Sequence, residues 1–181
     1  MRIADVCADF LVGQVKAGAQ LLQIFDSWAG ELSPHDFALY SLPSLRHISQ
    51  RVRASLASSG APAIPMTLFA KGAHQPETLA ALAAAPGGYD VLGLDCASAS
   101  SNIAFQGNLD PNVLYGGRAA IEREVARMCA EFRASDGGDA SAAPRAWIAN
   151  LGHGITPGVD PEDMRFFLEC VHKYSAKGAA P

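Results

Sequence analysis

Apolar residues fall in two alternating patterns along the chain: short continuous runs of strand length, and longer stretches in which they return every three or four positions. The first read as buried strands, the second as helices with one apolar face. Met1 to about Gln20 carries Ile3, Val6, Phe10 and Leu11 at helical spacing and predicts an amphipathic helix. Leu21 to Phe25 is then a compact apolar strand that stops at Asp26-Ser27, ahead of the turn-forming Gly30. Ser33-Pro34 predicts an N-cap with proline in the first helical turn, and Asp36 is placed to face the helix dipole. The helix that follows buries Leu45, Ile48, Val52 and Leu56, is kinked or split near Pro43, and closes at Ala61-Pro62.

The alternation repeats. Pro65 to Ala70 is a second strand ending at Lys71, and Pro76 to Ala85 is an alanine-rich helix stopped by Pro86-Gly87-Gly88. Val91 to Leu94 is a third strand, ending at Asp95. Ile103 to Phe105 is a fourth, followed by Gln106-Gly-Asn-Leu-Asp-Pro111, where Asp110 before proline predicts a cap. Ile121, Val125, Met128 and Phe132 stripe the next helix, and Ala134 to Pro144 is small, polar and glycine-rich, as a surface loop is. Ala146 to Ala149 is a fifth strand, and Asp160-Pro161 caps a last helix buried through Met164, Phe167, Leu168 and Val171.

Strands that are continuous apolar runs, each followed by a helix, predict a parallel sheet covered by helices, hence an α/β fold, either a barrel or a doubly wound sheet. In both, ligands sit at the carboxyl ends of the strands. Those ends carry Asp26-Ser27, Lys71, Asp95, Gln106, Asn108 and Asp110, and Asn150 with His153. Any one of these polar groups can be a cap or a turn residue; as a set they describe a shared ligand rim. One joint does not fit. Neighbouring parallel strands need a crossover of roughly a dozen residues or more, usually a helix, yet Asp95 and Ile103 are joined only by Cys96 to Asn102.

Composition narrows the classes. The 181 residues are 49% hydrophobic and 18% charged, which suits one globular domain over residues 1–181. The sequence has no long apolar span and no basic secretory leader, so a cytoplasmic protein is expected, away from membranes. A net charge of −4 argues against nucleic acid, which needs a concentrated cationic face. An anionic ligand would need local arginines. Cys7, Cys96, Cys129 and Cys170 form no C-x-x-C pair, as expected of reduced thiols; three fall on predicted helices, as packing residues.

The most suggestive stretch is Ala149-Asn-Leu-Gly-His-Gly154, where a buried strand stops at a histidine held between two glycines. Glycines let the backbone turn sharply and let a ligand approach. A dinucleotide fingerprint is excluded because it needs glycine at Pro157. Taken alone, His153 is either a site residue or a structural turn residue.

Read together, the strand ends resemble the uroporphyrinogen decarboxylase family. The matching words are Gln23-Ile-Phe-Asp-Ser-Trp-Ala-Gly30, Leu68-Phe-Ala-Lys71, Gly93-Leu-Asp95, Gln106-Gly-Asn-Leu-Asp-Pro111, Asn150-Leu-Gly-His-Gly154, and Asp160-Pro-Glu162 with Val171-His-Lys173. They occur in the family's order over nearly the whole chain. The resemblance implies a partial (β/α)8 TIM barrel, about the last five strands and their helices. It implies an enzyme of haem and chlorophyll biosynthesis that converts uroporphyrinogen to coproporphyrinogen by removing the carboxyl groups of four acetate side chains. It further implies no metal or organic cofactor, a homodimer, and a cytoplasmic setting, or a plastid where a transit peptide precedes the chain. Ser27 and His153 match substrate-contacting residues: a hydroxyl can hydrogen-bond a carboxylate, and an imidazolium can bind one.

The departures are as specific. The family's Arg-Gln-Ala-Gly-Arg loop, its aspartate for the pyrrole N–H groups and a substrate-binding tyrosine lie in a region that this sequence does not contain. The family's Asp-Trp-Thr is Asp95-Cys96-Ala97 here, and the helix expected after it is missing, the defect the crossover argument also finds. The chain alone is therefore expected to be inactive, or to act as a non-catalytic fragment that associates with a full-length subunit. A related barrel family that transfers methyl groups between corrinoids and thiols with zinc would need His and Cys clustered near the last strands, and no cysteine lies close to His153 in sequence.

Overall fold

The computed structural model describes residues 2–72, 76–94, 103–135 and 147–176. It comprises two compact units, Met1–Gly93 and Leu94–Pro181, each α/β with parallel strands. Asp95, Cys96 and the short crossover expected over 95–102 lie outside the described residues, as does nearly all of the expected surface loop.

In the first unit, α1 (Arg2–Lys16) precedes β1 (Leu22–Asp26), a 3-10 turn (Ala29–Glu31) and a short α2 (Pro34–Asp36). A π-helical turn (Phe37–Ser41) leads into α3 (Leu42–Ser58), followed by β2 (Met66–Ala70), α4 (Pro76–Ala84) and β3 (Val91–Gly93). Ser33 caps α2 as expected, its Oγ accepting from the Asp36 N–H at 3.2 Å. The split near Pro43 is the π turn: proline lacks the N–H that a continuous α-helix would use. Leu45, Ile48, Val52 and Leu56 form the buried stripe of α3.

The stripe of α1 differs from expectation. Ala4, Ala8, Leu11 and Val12 are buried, whereas Ile3, Val6 and Phe10 are exposed. Two alanines let α1 lie close to α3, so the small residues, rather than the large ones, mark the packed face. Across the contact, Asp5 binds His47 Nε2 at 2.7 Å and Arg51 at 3.3 Å, and Asp9 binds Arg51 at 2.9 Å.

β1 pairs with β2 and β2 with β3, all parallel, with Ile24, Leu68 and Leu92 in register. Strand alternation then sorts the side chains. Leu22, Met66, Leu68 and Leu92 are buried on the helix side, where Asp26 also accepts a hydrogen bond from Ser41. Gln23, Phe25, Thr67 and Phe69 take the other face, where Phe25 and Phe69 meet edge to face with centroids 6.1 Å apart.

The second unit runs β4 (Ala104–Leu109), a 3-10 turn (Pro111–Gly116), α5 (Arg118–Ser135), β5 (Trp147–Leu151) and α6 (Pro161–Ser175). Its strands are parallel, with Phe105 opposite Trp147 and Leu109 opposite Leu151. Phe132 of α5 stacks on Trp147 at 4.7 Å, and Leu109 and Leu151 are buried, which identifies the helix-covered face. Ile121, Val125, Met128 and Phe132 are buried as the spacing predicted.

Three expectations fail here. β4 does not end at Phe105 but continues through Leu109, paired with β5 from Phe105 opposite Trp147 to Leu109 opposite Leu151. β5 likewise includes Asn150 and Leu151. On α6, Phe167, Cys170 and Val171 are buried while Leu168 is 48% exposed, since the helix turns its Phe167 side to α5. Of the cysteines described, Cys129 and Cys170 are packing residues, and Cys7 is exposed.

Candidate functional site

Ser27 follows β1 directly and is exposed. The turn carrying it is laid against the turn after β2 by backbone contacts. The Lys71 N–H donates to the Asp26 carbonyl at 3.1 Å, and the Gly30 N–H donates to the Lys71 carbonyl at 2.9 Å. Gly72 adopts φ +70°, and a Cβ on Gly30 would lie 2.6 Å from the Gly72 carbonyl oxygen, so both positions need glycine. Asp26 points back to the helices, where Ser41 Oγ donates to its carboxylate. The apolar strand therefore delivers Ser27 to solvent while its neighbour Asp26 ties the turn down.

His153 follows β5, in the second unit, and is also exposed. The Gly152 N–H donates to the Leu109 carbonyl at 2.8 Å, carrying the strand pairing one residue past β5 before the chain turns. The loop's far side is held by a hydrogen bond between the Tyr115 and Thr156 hydroxyls and by the Asp160 cap, whose carboxylate accepts from the Glu162 N–H at 2.9 Å. Asp110 is a cap too, accepting from the Asn112 N–H at 2.9 Å, as the sequence indicated. Neither Ser27 nor His153 hydrogen-bonds another described side chain, so both polar tips are available to a ligand. Each stands at the carboxyl end of a parallel strand in its own unit.

Among the residues that the sequence reading placed beyond their strands are Asn108 of β4 and Asn150 of β5. They are in register in the parallel ladder.

A groove of about 530 Å³ in the first unit is lined by Cys7, Phe10, Leu11, Phe25, Asp26 and Ser41, among others. Its lining is mostly apolar and does not include Ser27. No group of three or more His, Cys, Asp and Glu is gathered as a metal site among the described residues. No described helix is long and apolar enough to cross a membrane.

The family model for uroporphyrinogen decarboxylase matches residues 1–174. The chain belongs to the uroporphyrinogen decarboxylase family. A curated uroporphyrinogen decarboxylase of Schizosaccharomyces pombe is 46% identical over 184 residues, covering 96% of this chain and 48% of its own length. Those of Ovis aries and Homo sapiens are 40% and 39% identical, each covered over 46% of its length. The chain thus spans about half the length of the curated relatives it matches. Uroporphyrinogen decarboxylases are TIM-barrel carboxy-lyases, and the parallel strands with their covering helices in each unit suit part of such a barrel.

Proposed function

We propose that this chain supplies part of the substrate cleft of a uroporphyrinogen decarboxylase, with Ser27 and His153 as binding groups for substrate carboxylates. The observation that carries this is their placement: each is exposed at the carboxyl end of a parallel strand, with no hydrogen bond to another described side chain, on a chain of this family. The Ser27 hydroxyl donates to a carboxylate oxygen; the His153 ring N–H does the same, more strongly when the ring is protonated.

In the reaction, a pyrrole ring is protonated, the bond to an acetate carboxylate breaks, and its electron pair flows into that ring as CO2 leaves. A proton then converts the remaining methylene into the methyl group of coproporphyrinogen, and the proton first added to the ring leaves, restoring the pyrrole. Binding groups of this kind assist by holding the other carboxylates while charge moves at one of them. No metal or organic cofactor is needed for these steps. A homodimer and a cytoplasmic or plastid setting belong to the same reading.

The 181-residue polypeptide is tested as it stands. It is expected to bind uroporphyrinogen without producing coproporphyrinogen at ordinary enzymatic rates. Ser27→Ala and His153→Ala should each weaken binding about tenfold, the loss of one hydrogen bond to a charged group. Rapid coproporphyrinogen formation by the purified chain overturns the inactivity, and unchanged affinity in both variants overturns the site.

A specific observation favours a second reading, association with a full-length subunit of the same family. Phe10 and Phe25 are 67% and 65% exposed beside the apolar groove, and Ile3 and Val6 continue the exposed face of α1. Sedimentation with full-length enzyme distinguishes it: a defined complex supports this role, and independent sedimentation removes it.

A further inference from the structure

Lys71 is held by its backbone and unengaged at its tip. Its N–H donates to the Asp26 carbonyl at 3.1 Å and its carbonyl accepts from the Gly30 N–H at 2.9 Å, so residues before and after Ser27 clasp it. Ala70 is the register partner of Asp26, and the Lys71 bond carries that ladder one step further, beside the start of the Ser27 turn. The lysine side chain is exposed and makes no ion pair or hydrogen bond with a described residue. Two acids belong to the same turn, and neither neutralises it. Asp26 accepts from Ser41 on the helix side, and Glu31 forms no ion pair with Lys71.

That arrangement suits an anionic ligand. Among the described residues within two positions of a strand's carboxyl end, Lys71 is the one lysine or arginine. Paired strands lie about 4.8 Å apart, a gap that the flexible four-carbon stem of lysine can cross while its base stays fixed. The Ser27 hydroxyl alone is a neutral donor, whereas an ammonium brings charge and three donors, and charge-assisted bonds are about twice as strong.

We propose that the Lys71 ammonium and the Ser27 hydroxyl form one carboxylate-binding subsite for a side chain of a pyrrolic substrate. The subsite rests on the reading of Ser27 as part of a decarboxylase cleft, and it adds to that cleft a permanent cation.

The test is titration of the 181-residue protein with a monopyrrole bearing one acetate and one propionate arm, its dimethyl ester serving as the control. Lys71→Met keeps the stem and removes the charge. It should weaken dicarboxylate binding about tenfold, lessen its dependence on salt, and leave ester binding and the urea midpoint unchanged. Lys71→Arg should restore most of the affinity, and Lys16→Met, a lysine at the end of α1, should have no effect. With the lysines carrying 13C-labelled methyl groups, the NMR signal absent from Lys71→Met should shift with the dicarboxylate and stay still with the ester.

If Ser27→Ala weakens dicarboxylate binding while Lys71→Met keeps full affinity and the Lys71 signal stays still, the subsite is overturned and the decarboxylase reading stands. An equal loss in Lys16→Met reduces the effect to general charge attraction and also overturns it. If the unmutated chain binds no dicarboxylate at all, both fall together.

Discussion

Ser27 and His153 both follow a parallel strand, yet the two turns are held in different ways. Behind Ser27 the bracing is backbone on backbone, with Gly30 and Gly72 in contact and the Lys71 amide and carbonyl both engaged. Behind His153, one ladder bond at Gly152 is followed by a loop that is next tied at Thr156, through the Tyr115 side chain. The difference teaches where each site is vulnerable. Close backbone packing leaves no room for an added atom, whereas side-chain bracing can be removed without disturbing the core.

The largest effect is therefore expected at Gly30. Its substituted Cβ would meet backbone atoms of Gly72 at 2.6 to 2.7 Å, and backbone cannot swing aside as a side-chain tip can. Gly30→Ala should cost about 2 to 3 kcal/mol, read from the urea midpoint, and should abolish the Ser27 contribution to ligand binding. A fully stable Gly30→Ala would mean that the two turns are not packed as described.

Ser41→Ala comes next. It takes a donor from the half-buried Asp26 carboxylate and should cost about 1.5 kcal/mol, with faster hydrogen exchange at the Lys71 amide, whose acceptor is the Asp26 carbonyl. Tyr115→Phe is smaller. It should cost at most about 1 kcal/mol, because Tyr115 is 54% exposed. It should nevertheless weaken His153-dependent binding several-fold, with faster exchange at the Val159 amide, which bonds the Thr156 carbonyl. A loss of binding at Ser41→Ala equal to that at Tyr115→Phe, with no change in exchange at either turn, would erase the contrast.

The strand-to-helix rhythm was legible because apolar runs and threefold-to-fourfold spacing report burial directly. The caps at Ser33, Asp110 and Asp160 were legible because each precedes a proline that fixes the first turn. The α1 face was not, since Ala4 and Ala8 carry little hydrophobic signal and are buried for their small size. Nor was the true extent of β4: Gln106 and Asn108 look like the end of a strand when polarity alone is counted, yet both pair along β5, opposite Ile148 and Asn150. Ser27 and His153 were singled out as candidate binding residues through words shared with the family. The bracing by Gly72, Ser41 and Tyr115 was out of reach, because it depends on contacts between residues distant in sequence.

The smallest effect compares the helix pairs of the two units in acid. In the first, the hydrogen bond from His47 holds the Asp5 carboxyl below its usual range, with the charge of Arg51 adding to it and burial opposing. In the second, hydrogen bonds from Lys173 and then Tyr174 do the same for Glu122, at 2.7 and 2.8 Å. A carboxyl depressed in the folded state stabilises fully above its unfolded value, and that contribution drains away as pH falls through the unfolded and then the folded value. Stability should thus begin to fall as pH drops past about 4.5. Asp5→Asn should flatten this acid limb for the α1–α3 pair and Glu122→Gln for the α5–α6 pair, each measured by thermal melts from pH 6 to 3. Both pairs are open to solvent, so added salt should shrink the two differences. An acid limb left unaltered by both substitutions would show that these clasps fasten the helices no more firmly than water does.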